Sequence, residues 1–261
     1  MEHRTLIVLA FILLIGACAT VPETGRKQLL LITSTEETSL GLSEFEKLKK
    51  AKPISQNASL RTMVERVGMR IASVAPLPNA RWEFVLFEDP KTPNAFCLPG
   101  GKVGIFTGLL PIARDDAGLA TVIGHEVAHA VARHGAERIS EGLLLEFGGQ
   151  ILQTALRTRP DAAKSLILGA YGIGGELAVS LPHSRKQELE ADHLGLLYMA
   201  RGGYDPREAL SFWERFSAYG KQSGGRSVEF LSTHPLDERR MAELEKLMPQ
   251  ALQDYAKTKT Q

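Results

Sequence analysis

His125-Glu126-Val127-Ala128-His129 stands inside an apolar stretch running from Asp115 to Gly135. Asp115 or Asp116 suits a helix N-cap, because its carboxylate can accept from a free first-turn N–H, and Gly135 marks a stop after His134. Four residues advance a helix by about 400° and roughly 6 Å, so His125 and His129 share one face, one turn apart, as two ligands of a tetrahedral ion require. Glu126, displaced by about 100°, reaches beside such an ion rather than onto it and is the candidate general base. Thr121, Val122, Val127, Ala128 and Val131 make the flanking faces apolar, and two unpartnered imidazoles in a buried wall would be costly. With seven histidines in 261 residues, a chance match to this pattern has a probability on the order of one per cent.

A catalytic zinc needs a third protein ligand and a position left for water. Downstream, Arg185-Lys186-Gln187-Glu188-Leu189-Glu190-Ala191-Asp192-His193 places Glu188 and Asp192 four apart on one helical face, with Glu190 pointing away from it. Glu188, longer and earlier, is the expected ligand. Asp192 is expected behind it, accepting a bond from a ligand imidazole and fixing its tautomer. Glu190 and Lys186 read as a solvated charge run. One Zn2+ per chain is the expected cofactor.

Working outward, the fold class is α+β and mostly helical with a small sheet. Leu60, Met63, Val64, Val67 and Ile71 recur at helical steps between 55 and 75. Residues 82–87 alternate like a strand, and 94–98 and 102–107 read as two more, joined by Pro99-Gly100-Gly101. Helices are expected over 139–156, 162–181, 184–201, 206–219 and from Pro235 onward. Glycines at 169, 172, 174 and 175 weaken the second of these and suggest a bent or mobile element or close packing.

The charge is nearly balanced, 31 basic against 30 acidic residues, so no large field attracts nucleic acid. The apolar run Leu6–Ile15 after Arg4 is too short for a span of roughly 20 residues and reads as a signal peptide over 1–17. Leu14-Ile15-Gly16-Ala17-Cys18 resembles a bacterial lipobox, making Cys18 a lipid attachment site, 18–40 a lipidated tether and 41–256 the catalytic domain. Ala19 after it favours the periplasmic side of a bacterial outer membrane. Cys97, the only other cysteine, reads as a small buried hydrophobe.

These motifs together resemble the zinc metallopeptidase family of HtpX and the CAAX prenyl endopeptidases. Asn94-Ala95-Phe96, Pro99-Gly100-Gly101 and Thr233-His234-Pro235 are similar to its soluble bacterial lipoprotein branch, over roughly residues 55–245. The resemblance implies a gluzincin-like site with His125, His129 and Glu188 as ligands, Glu126 as base and Asp192 behind them. It implies an edge strand, Lys102–Thr107, beside the active-site helix, able to pair with a substrate backbone. It also brings His234 over the open metal position, as an oxyanion stabiliser or a fourth ligand. Arg239, one turn on, is placed to orient His234 or pair with a carboxylate. His134, His183 and His193 are assigned to capping or surface roles. The function implied is cleavage of unfolded or misassembled envelope proteins, outer-membrane proteins among them, with envelope assembly partners. The rivals are a lipid-anchored chaperone-like binding module with a latched zinc site, and a zinc hydrolase of non-peptide amides.

Overall fold

The computed structural model describes residues 18–148, 150–173, 184–223 and 229–259. The signal-peptide segment 1–17, Gly174, Gly175 and His183, and the end of the expected helix at 181 lie outside them. In chain order the elements are β1 (Cys18–Thr20), β2 (Lys27–Leu29), α1 (Ser34–Ala51), α2 (Ala58–Ala72), β3 (Glu83–Phe87), β4 (Ala95–Leu98), β5 (Lys102–Phe106), α3 (Leu110–Ala113), α4 (Asp116–Val131), α5 (His134–Phe147), α6 (Leu152–Thr158), α7 (Pro160–Ala170), α8 (Arg185–Arg201), α9 (Glu208–Gln222), α10 (Glu229–Thr233) and α11 (Glu238–Thr258). Among the described residues no helix is long and apolar enough to cross a membrane.

The stretch 18–40, expected as a lipidated tether, contains regular structure. Strands β1 and β2 form an antiparallel pair, and α1 begins at a capping box in which Thr33 and Glu36 satisfy each other's backbone N–H groups. Phe45 on α1 is fully buried among Phe87, Phe96, Leu98 and Phe106, which fastens the helix to the sheet.

The three-stranded sheet runs β3-β5-β4. Strand β5 is parallel to β3 and antiparallel to β4, so Lys102–Phe106 is the central strand and not the edge. The two edges are Glu83–Phe87 and Ala95–Leu98, and the second packs against α4. The reason lies in the turn: Gly100 and Gly101 adopt φ of 83° and 80°, the left-handed pair that closes a tight hairpin. That hairpin folds β5 back inside β4, and β5 then pairs with β3 on its other side.

Helix α4 is capped by Asp115, whose side chain accepts from the Ala117 and Gly118 amides, and it is buried along nearly its whole length. Its principal partner is α8. The two backbones meet at glycines: a Cβ on Gly195 would sit 2.8 Å from the His125 amide nitrogen, and one on Gly124 would sit 2.8 Å from the Gly195 carbonyl oxygen. No flexible side chain is there to yield, so close approach of α4 and α8 depends on these two residues. The substitution Gly195→Ala is therefore expected to destabilise the metal-free protein by about 2–3 kcal/mol, in the overpacking range. In thermal unfolding that is a fall of about 4–10 °C for a domain of this size, and a midpoint unchanged from wild type would contradict the crossing described.

Candidate metal centre

Helices α4 and α8 cross so that His125, His129 and Glu188 face one another. His125 Nε2 lies 3.1 Å from His129 Nε2 and 3.4 Å from Glu188 Oε2, and His129 Nε2 lies 3.2 Å from Glu188 Oε1. A fourth atom joins them. His234 Nδ1 is 3.2 Å from His125 Nε2 and 3.1 Å from Glu188 Oε1. The ring of His234 stacks on Phe230 at 4.3 Å, and its amide donates to the Phe230 carbonyl at 2.7 Å, so short helix α10 aims it inward.

These separations test whether a metal fits. Bonds of about 2.0–2.2 Å in a tetrahedron put ligand atoms roughly 3.3 Å apart. The donor pairs measured above lie 3.1–3.4 Å apart, and the four donor atoms of His125, His129, Glu188 and His234 all lie within 4.8 Å of one another while all four residues are buried. The charge agrees, because Glu126, Glu188 and Asp192 bring three buried carboxyl groups to one place. Burial would lower the pKa of His125, but its bonds to Asp192 and Glu188 outweigh that and raise it to about 9.

Asp192 accepts from His125 Nδ1 at 3.0 Å, the position behind a ligand expected of it. Asp192 is held by a residue that the sequence did not single out. Arg239 is exposed, and Arg240 does the work instead, donating from Nε and Nη2 to the two Asp192 oxygens at 2.6 and 2.7 Å. Its Nη1 lies 2.9 Å from Glu188 Oε2, and its guanidinium covers the Trp213 ring at 4.6 Å. Burial, the largest influence, raises the pKa of both carboxyl groups. His234 and Arg240 outweigh it at Glu188, and Arg240 and His125 at Asp192, so Glu188 lies well below the usual range and Asp192 below it. The assignment to 239 assumed a helix entered at Pro235. It starts at Glu238 after an Asp237 cap, and in that phase residue 240 faces inward.

Glu126 is buried beside the cluster, with Oε1 3.5 Å from His234 Nε2 and making no hydrogen bond among the described residues. Burial pushes its carboxyl pKa up, against the lowering pull of His234 and His125. Together with His129, Cys97 of the edge strand, Gly135, Arg138 and Tyr171 it lines a cavity of about 10 Å3. Cys97 is buried, as read.

His134 and Glu190 also depart from expectation. Helix α4 ends at Val131 rather than His134, because Arg133 turns left-handed at φ 57°. The break swings His134 back, fully buried, to lie 2.8 Å from His129 between their Nδ1 atoms. Its Nε2 lies 2.9 Å from Glu190. Glu190, only 7% exposed, is therefore part of a buried network and not a solvated charge. His193 is half-buried.

Residues 56–248 match the sequence profile of Peptidase family M48. The mitochondrial metalloendopeptidase OMA1 of Saccharomyces cerevisiae is 32% identical over 267 residues, covering 93% of this chain and 75% of that protein. OMA1 of Arabidopsis thaliana is 43% identical over 182 residues, covering 69% of this chain and 33% of that protein. The beta-barrel assembly-enhancing protease of Escherichia coli is 26% identical over 228 residues, covering 86% and 46%. The chain thus spans three quarters of the first of these and half or less of the other two. The identity is higher to proteins named mitochondrial, and this overturns the placement on the periplasmic side of a bacterial outer membrane, which rested on the lipobox-like residues ending at Cys18 and on Ala19 after it. The profile match over most of its length, on a helix pair that brings His125, His129 and Glu188 together beside the buried carboxyl group of Glu126, means that the chain belongs to peptidase family M48 and is a metalloendopeptidase.

Proposed function

We propose that this protein is a zinc-dependent endopeptidase that cleaves unfolded or misassembled polypeptides as a quality-control enzyme. One observation carries the reading: Glu126, a buried carboxylate with no hydrogen bond of its own at Oε1, shares a cavity with ligand His129 and edge-strand residue Cys97. A purely structural metal site has no use for such a base.

His125, His129 and Glu188 would hold zinc, which when bound polarises a carbonyl and acidifies water. Glu126, its proton affinity raised by burial, takes the proton from water and passes it to the departing amine. Strand β4 is an edge of the sheet whose residues are buried; uncovered, such an edge offers backbone groups to an extended polypeptide without demanding a particular sequence. Its ends open onto larger spaces: Asn94 and Phe96 line a cavity of about 320 Å3, and Pro99 and Gly100 one of about 670 Å3. The relatives named for proteolysis and for β-barrel assembly suit unfolded protein as the substrate class.

The second reading, a binding module with a latched metal site, has one observation in its favour: His234 Nδ1 stands at the fourth corner of the donor set. Under the first reading His234 withdraws for turnover. The purified chain with added zinc is expected to digest casein, to stop when a chelator removes the metal and to resume when zinc is restored. Peptides N-methylated at alternate residues, which cannot pair with β4, are expected to be cut at least about tenfold more slowly than their parents. Binding of casein without any zinc-dependent cleavage selects the latched module instead.

A further inference from the structure

We infer that His134 is a positioning residue for the metal ligand His129, and that it is itself held through Glu190 by Thr24 and Arg26 in the turn between β1 and β2. The inference rests on reading His129 as a ligand through Nε2.

That nitrogen points into the donor cluster, 3.1 Å from His125 Nε2. A neutral imidazole that offers its Nε2 lone pair to a cation carries its proton on Nδ1. His129 Nδ1 is 2.8 Å from His134 Nδ1, so His129 donates and His134 accepts. The proton of His134 then sits on Nε2 and is donated to Glu190 Oε2 at 2.9 Å. Every donor in this chain meets an acceptor in one assignment of tautomers. His125 has the shorter version of the same device, a direct bond to Asp192.

Beyond Glu190 the chain reaches the N-terminal turn. Arg26 Nε donates to Glu190 Oε2 at 2.6 Å, and the Thr24 hydroxyl donates to Glu190 Oε1. Arg26 also grips Glu137 of α5 at 2.7 and 2.9 Å, and Gln187 of α8 binds the same carboxylate at 2.7 Å. The turn thus ties together the two helices that supply His134 and Glu190. The stretch read as a tether is, on this inference, part of what orients a metal ligand.

The test measures zinc affinity of the full chain, by competition with a chromophoric chelator, for wild type and three variants. His134→Phe keeps a ring but removes the acceptor, and is expected to bind zinc about 10- to 100-fold more weakly, the usual effect of losing a group behind a ligand. His134→Asn places an amide oxygen where Nδ1 was, and is expected to recover affinity to within about threefold of wild type. Arg26→Leu, which leaves His134 intact, is expected to weaken zinc by about 3- to 10-fold. Thermal midpoints of the metal-free proteins separate these effects from loss of fold, which would not be rescued by Asn. Wild-type affinity in His134→Phe, or equal losses in Phe and Asn variants, overturns the role of His134. Wild-type affinity in Arg26→Leu overturns the link to the turn. A wild-type chain that binds no zinc would sink the reading of the site itself and is distinguishable from all of these.

Discussion

In the variant Glu126→Gln, zinc is expected to stay bound at wild-type affinity while kcat for casein or peptide cleavage falls by about 10²- to 10⁴-fold, the span attributed to a positioned acid–base group. The two effects separate because Glu126 is not among the donor atoms. The candidate donors are His125, His129, Glu188 and His234, and of these Glu126 stands 3.5 Å from His234. Gln preserves the shape and burial of the side chain but cannot take a proton. The ordinary objection to such a substitution, that a buried partner is left without its bond, does not apply at Oε1, which bonds to nothing among the described residues. Metal analysis and steady-state rates on the same preparation check the pair of outcomes. Undiminished turnover would remove Glu126 from the mechanism. Loss of zinc together with activity would make it a part of the metal-binding structure.

The sequence made the donor set legible because two helical spacings encode it. His125 and His129 lie four apart, as do Glu188 and Asp192, and any helix carrying such pairs presents each on one face. Contacts that depend on where a helix begins or breaks were not legible. Arg240 rather than Arg239 faces Asp192 because α11 enters three residues later than Pro235 suggests. His134 meets His129 only because Arg133 leaves the helical conformation, and nothing in Ala132-Arg133-His134 announces that. Glu190 does point away from the face of Glu188, as its spacing requires, yet that other side meets α5 and the N-terminal turn instead of solvent. Strand order was equally out of reach, since the hairpin between β4 and β5 is local while the parallel pairing of β5 with β3 is not. Helix α1 is a different matter. The Thr33-Ser34-Thr35-Glu36 pattern is a capping box, and it stood in the sequence ahead of an amphipathic run ending near Ala51.

The charge balance beneath the metal leads to the largest expected effect on stability. Arg240→Met removes the guanidinium that bonds both Asp192 oxygens and lies 2.9 Å from Glu188, in a place where all three residues are buried. Breaking a buried ion pair from one side strands its partner, at about 3–5 kcal/mol, and here two carboxylates are stranded together. Met fills much of the space over Trp213, so little of the loss is a cavity. The metal-free variant is therefore expected to unfold with a midpoint about 6–15 °C below wild type. Zinc alters the comparison. A divalent cation among His125, His129 and Glu188 returns positive charge to the stranded pair, so the rise in midpoint on adding saturating zinc should be larger in the variant than in wild type. The same variant should be slow, because Asp192 has lost the group that holds it against His125. Differential scanning calorimetry with and without zinc reads both expectations. A midpoint equally depressed in the two conditions would mean that Arg240 matters for packing against Trp213 and not for charge. That outcome would dissolve the view of the site as a shortage of positive charge answered once by a guanidinium and once by a metal.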